Sequence, residues 1–146
     1  MKRIVLASLL ALSACGAPPK AEVTDAVVHL PLAAGRPGVA YFTVKGGAKE
    51  AQLTSVSSPQ VIRVELHDNV MEGGVMKMTP LSAGVTVPAG GTVEFKAGGK
   101  HAMLYDIRPD LKQGDKLTLS FAYADGAKIE AEAQIKPRGE AAGHNH

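Results

Sequence analysis

Along most of the chain, apolar and polar residues alternate with a period of two, the repeat of a strand that buries one face. The runs are short, rich in β-branched residues and punctuated by Gly, Pro and Asn. They predict strands over residues 23–30, 38–45, 51–57, 61–67, 75–79, 84–87, 92–96, 102–107, 116–123 and 127–135. No stretch keeps a helical period for three turns. Short strands with turn signals every ~8–12 residues predict an all-β domain, a Greek-key sandwich or barrel. There is no internal repeat. At 146 residues the chain is long enough for one domain with a core of its own.

That domain spans residues 23–136. The last stretch, residues 137–146 (Pro-Arg-Gly-Glu-Ala-Ala-Gly-His-Asn-His), reads as a disordered tail. The first stretch is a leader. A basic Met1-Lys2-Arg3 precedes an apolar run from Ile4 to Leu12, and Ser13-Ala14-Cys15 closes it. This reads as a secretory signal over residues 1–14, too short to span a bilayer as an anchor. The Leu-Ser-Ala-Cys ending resembles the bacterial lipobox. The expectation is a lipidated Cys15 on a tether of residues 15–22, held by several acyl chains on the periplasmic side of a bacterial membrane.

Charge excludes some partners. The formal net charge is +2, and two of the cations, Lys2 and Arg3, belong to the leader. The remaining chain is near neutral, without the clustered Lys and Arg of a nucleic-acid surface. Cys15 is the only cysteine. An intrachain disulfide and a Cys-x-x-Cys redox motif are both excluded.

The candidate chemistry lies in His67, Met78, His101 and Met103, spaced as H-x10-M-x22-H-x-M. Every methionine after Met1 falls in this region: Met71, Met76, Met78 and Met103. Two imidazoles and two thioethers form a soft, neutral donor set suited to monovalent copper. A zinc site would favour cysteine, histidine and carboxylate. A blue-copper electron carrier needs a thiolate, and the one cysteine is assigned to the lipid.

Strand alternation suggests how the donors are presented. In Val61-Ile-Arg-Val-Glu-Leu-His67, residues Ile62, Val64 and Leu66 form the expected apolar face. Arg63, Glu65 and His67 share the other, expected to be wet. Met76 and Met78 point one way from their strand, with Val75 and Lys77 opposite. His101 and Met103 likewise share a face, an i, i+2 pair that aims two donors at one point. Met71 and Met76 are expected to serve as core or lid packing, with an accessory metal role as the alternative. His29, set among apolar residues, is expected to be structural. His144 and His146 form a weak candidate site for Cu(II) on the tail.

Residues 23–136 resemble the PCu(A)C family of periplasmic copper chaperones. The resemblance rests on Val64-Glu-Leu-His67, Met71-Glu-Gly-Gly-Val-Met-Lys-Met78, Val87-Pro-Ala-Gly-Gly-Thr-Val-Glu-Phe95, Gly98-Gly-Lys-His-Ala-Met-Leu104 and Leu111-Lys-Gln-Gly-Asp115. It implies a cupredoxin-like β fold and Cu(I) ligands at His67, Met78, His101 and Met103. It also implies copper delivery toward a haem-copper oxidase, with the oxidase's copper-bearing subunit or a Sco-type thioredoxin-like protein as partner. Tyr105 stands where many relatives carry methionine. Lys100 stands where an aromatic is common, and is expected to place a positive charge beside the site. Two other readings compete: a copper-sequestering lipoprotein, and a structural lipoprotein without metal, since fold alone does not fix function. A hydrolase built on His67-Asp68 with Ser57 or Ser58 lacks any nucleophile motif. The chain is read as a non-enzyme.

Overall fold

The computed structural model describes residues 16–138; the leader, Cys15, His144 and His146 lie outside the described residues. Ten strands form: β1 (Glu22–His29), β2 (Gly38–Lys45), β3 (Ala51–Ser57), β4 (Val61–Glu72), β5 (Val75–Pro80), β6 (Val85–Val87), β7 (Thr92–Phe95), β8 (His101–Ile107), β9 (Lys116–Tyr123) and β10 (Lys128–Ile135). Each expected strand is present, and no helix occurs among the described residues. The main departure is β4, which continues to Glu72 instead of ending at His67.

The strands pair in the order β5-β4-β8-β2-β1-β10-β9-β3-β6, with β7 also on β2. The pairing of β1 with β10 is parallel and the rest are antiparallel. The sheet curls until β3 meets β4, so its inner face becomes the core of a β-barrel or sandwich. Strand β9 shows the cause most cleanly: Leu117, Leu119, Phe121 and Tyr123 are buried, and the residues between them are not. Phe42 stacks on Phe95 at 4.4 Å and meets Phe121 edge-on at 4.8 Å. Such pairs each add about 0.5–1.5 kcal/mol beyond the area they bury.

Strand β4 breaks the expected alternation at its start. Ile62 is 82% exposed while Val61 is buried. In the register that pairs Val61 with Ile107 and Arg63 with Tyr105, Asp106 stands across from Ile62. Asp106 has φ +56°, a left-handed conformation that interrupts the pleat of β8. Ile62 therefore faces water.

Two faces of the sheet matter for the site. Leu66, Ala102, Ala40 and Val28 stand in register across β4, β8, β2 and β1 and belong to the core. The residues that alternate with them are His67, His101, Met103, Val39 and His29. They occupy the opposite face.

Beyond His67, β4 outruns β8 and keeps only β5 as a strand neighbour. The two strands project as a hairpin closed by Gly73 and Gly74, with φ +59° and +79°. A tight two-residue turn of this hand needs positive φ at both central positions, which glycine supplies without strain. Every residue of β5 is exposed.

Candidate metal centre

His67 and His101 face each other directly across β4 and β8. Their rings lie 5.9 Å apart between centroids and are inclined by 26°. Both are buried, at 7% exposure. The expectation of a wet face at His67 is therefore corrected. Alternation identified the face but not the neighbours that cover it. His29, the third buried histidine, donates from Nδ1 to the Lys136 carbonyl at 3.0 Å, in keeping with a structural role.

Hydrogen bonding fixes what each ring can offer. His101 donates from Nδ1 to the Gly99 carbonyl at 2.9 Å, because a carbonyl can only accept. In the neutral ring Nε2 then keeps its lone pair. His67 donates from Nε2 to Glu65 at 3.2 Å, which leaves the lone pair on Nδ1. That Nδ1 is buried and has no hydrogen-bond partner. A buried polar atom without a partner ordinarily costs about 1–3 kcal/mol, so its position calls for an occupant. An imidazole whose other nitrogen is fixed by a carboxylate or carbonyl is the usual preparation for a metal ligand.

Glu65 holds His67 from within a small polar network. Its carboxylate accepts from Arg63 at 2.9 Å, and the Arg63 guanidinium lies 4.2 Å from the Tyr105 ring centre. The hydrogen bond from His67 holds the Glu65 carboxyl below its ordinary range, helped by the Arg63 charge and the Tyr105 hydroxyl. Burial raises the Tyr105 hydroxyl, as does the charge of Glu65. Glu65 was not among the candidates from sequence. Its signal was the i, i+2 spacing to His67 on one strand face. Tyr105 thus carries a polar contact to Glu65.

The thioethers flank this pair from opposite ends. Met103 stands across from Glu65 on β8 and is half-buried. Met78 stands across from Asn69 on β5, on the other side of His67, and is 51% exposed. Met78 and Met103 are thus two strands and four residue levels apart, roughly 16 Å between Cα atoms on a flat sheet. A methionine sulfur reaches only about 4 Å from its Cα, three single bonds away in an extended side chain. The structure therefore assembles His67, His101 and Met103, and places Met78 on the projecting hairpin one step outward. The expectation that Met71 and Met76 pack in a core or lid is overturned: they are 65% and 52% exposed. The hairpin has no strand to cover either face.

Lys100 is also corrected. It forms an ion pair with Asp68 at 2.7 Å, so its charge is balanced locally. A groove of about 540 Å³ opens beside His101 and Met103, walled in part by Tyr41, Asn69, Arg36 and Arg138. It gives His101 and Met103 a route to solvent. Among the described residues no three His, Cys, Asp or Glu side chains gather as a metal-holding group. Two neutral imidazoles with sulfur beside them suit a soft, low-charge ion better than a hard or borderline one.

A family model described as "Putative lipoprotein LpqE-like" matches residues 21–135. "Putative lipoprotein Lxx21020" of Leifsonia xyli is 26% identical over 136 residues, covering 78% of this chain and 82% of that protein. "Uncharacterized protein RP573" of Rickettsia prowazekii is 33% identical over 89 residues, covering 60% of this chain and 49% of that protein. The match thus spans about half the length of the Rickettsia protein. Among solved structures, the copper-bound PCuAC domain from PmoF2 overlays with a TM-score of 0.64 at 17% identity, covering 84% of this chain and 97% of that one. Apo-DR1885 from Deinococcus radiodurans overlays with a TM-score of 0.60 at 22% identity, covering 97% of both chains. The fold is that of the PCuAC domains, as the sequence resemblance implied.

Proposed function

We propose that this chain, which belongs to the LpqE-like lipoprotein family, is an extracytoplasmic copper carrier anchored through Cys15. Its cargo is Cu(I), held by His67, His101 and Met103 and closed by Met78 when the hairpin, which has no other strand neighbour, bends inward. One observation carries the reading: the buried Nδ1 of His67 has no partner while its ring is held from the other side by Glu65. Each imidazole commits one ring nitrogen to an outer acceptor, Glu65 or Gly99, and has the other to offer to the ion. The thioethers, neutral and polarisable, bias the site toward the reduced ion. PCuAC domains solved with copper, from PmoF2 and DR1885, support the same cargo. The chain binds and releases without catalytic turnover.

The recipient we infer is a copper centre of a haem-copper oxidase, reached directly or through a Sco-type protein. The exposed hairpin supports transfer, because Met78 can be approached from outside. His144 and His146 would capture Cu(II), which imidazole accepts better than thioether does. The lipoprotein names of the matching family and of the Leifsonia relative support the anchored, extracytoplasmic location.

Met103→Leu tests the site. The swap conserves volume and removes the sulfur, so the fold should change by less than about 1.5 kcal/mol. Cu(I) affinity, measured by chelator competition under reducing conditions, should fall. Unchanged affinity in a folded variant would remove Met103 from the ligand set.

A further inference from the structure

Three methionines stand together on one face of the hairpin. Met71 is directly across from Met76, and Met78 is two residues beyond Met76 on the same side. Directly opposed side chains on a strand pair have Cβ atoms about 4.5–5.5 Å apart, and diagonal ones about 7–8 Å. Three flexible thioethers at that spacing can converge on one ion. They are 65%, 52% and 51% exposed, so packing does not account for them. The charged side chains of the hairpin lie on the opposite face, in line with Val70 and Val75: Glu72 pairs with Lys77 at 2.7 Å, and Asp68 pairs with Lys100. The methionine face is left uncharged, and it leads from the turn at Gly73 and Gly74 toward His67.

We propose that Met71, Met76 and Met78 form a second, outer site for a soft monovalent cation. Met78 is shared with the inner site and passes the ion inward. The inference rests on the Cu(I) reading of the inner site. Sulfur alone captures the ion at the exposed hairpin. The bonds to Met71 and Met76 then break as bonds to His67 Nδ1, His101 Nε2 and Met103 form. The ion keeps its charge, no electron moves, and the lone pairs it meets carry no proton. The separation of Met78 from Met103 follows from this role, since a ligand fixed at the inner site could not reach outward. Thioethers at this exposure bind weakly, so the outer site fills second and releases quickly.

The test uses the purified protein with ¹³C-methyl methionine and Ag(I), a redox-inert monovalent probe. The methyl signals report each thioether separately. The first equivalent should shift Met78 and Met103, and the second should shift Met71 and Met76. Met71 and Met76 signals that stay still through the second equivalent would overturn the outer site while the inner reading stands. Shifts at Met71, Met76 and Met78 with Met103 silent would sink the inner reading and leave the outer site. The double variant Met71→Leu/Met76→Leu adds a kinetic arm. Its uptake of Cu(I) from a small-molecule chelate should slow about five-fold or more while Met103 still shifts with the first equivalent of Ag(I). An unchanged uptake rate would show that the hairpin sulfurs do not relay the ion.

Discussion

The imidazole pair and the hairpin methionines sit on neighbouring parts of one strand, yet their surroundings differ sharply. His67 and His101 lie where β4 is flanked by β8, directly beside Leu66 and Ala102 in the core. Five residues later the same strand has only β5 for company and both its faces are exposed. The first region is held by packing and by two outer hydrogen bonds, from His67 to Glu65 and from His101 to Gly99. The second is a two-stranded ribbon, which is marginal by itself in water. On the proposed reading as a copper carrier, the rigid half would set affinity and selectivity, and the exposed half would let a ligand move.

The largest effect should come from removing the support of the rigid half. Leu104 is fully buried on β8 next to Met103. Leu104→Ala should cost about 2–5 kcal/mol through lost burial and the cavity left behind, seen as a lower midpoint in denaturant unfolding. By contrast Met76→Ala, on the exposed hairpin, should stay within about 0.5 kcal/mol. Equal losses at the two positions would mean that the hairpin is packed as firmly as the barrel.

Next in size is the orientation of His67. Glu65→Ala removes the acceptor that fixes its Nε2–H, and should weaken Cu(I) binding about 10–100-fold, the usual cost of losing an outer partner of a metal-ligating histidine. Because Glu65 lies on the outer face and is partly exposed, the fold should hold. Chelator competition and circular dichroism on the same sample separate the two effects.

A smaller effect is expected in amide exchange. Hairpin amides from Val70 to Met78 should exchange far faster than those of Ala102 to Leu104, since exposed, weakly packed segments open locally at little cost. Uniform protection along β4 would erase the distinction between its two halves. Adding Cu(I) should raise protection around Met78 under the proposed closure of this residue on the ion.

Most of the framework was legible in the sequence because period-two burial is a local signal. Leu117, Leu119 and Phe121 announce their strand without help from the rest of the chain. Ile62 departs from the alternation because its orientation depends on Asp106, a residue from another strand with an unusual φ. The same limit explains His67: alternation shows which way a side chain points, and the cover over that face comes from elsewhere in the fold. Packing is the expectation for Met71 and Met76 because methionine usually fills gaps. Their exposure depends on β4 outrunning β8, a mismatch of strand lengths that neither segment records alone. The ligand spacing points to the strands that carry His67, His101 and Met103, and the register separates Met78 from the other three.

On the proposed reading, this region holds Cu(I) through mixed nitrogen and sulfur donors. X-ray absorption on the protein carrying one equivalent of Cu(I) measures that shell directly. Both imidazole nitrogen and thioether sulfur scatterers should be present, with the sulfur contribution reduced in Met78→Leu and in Met103→Leu. A first shell of nitrogen and oxygen alone, unchanged by either substitution, would contradict it.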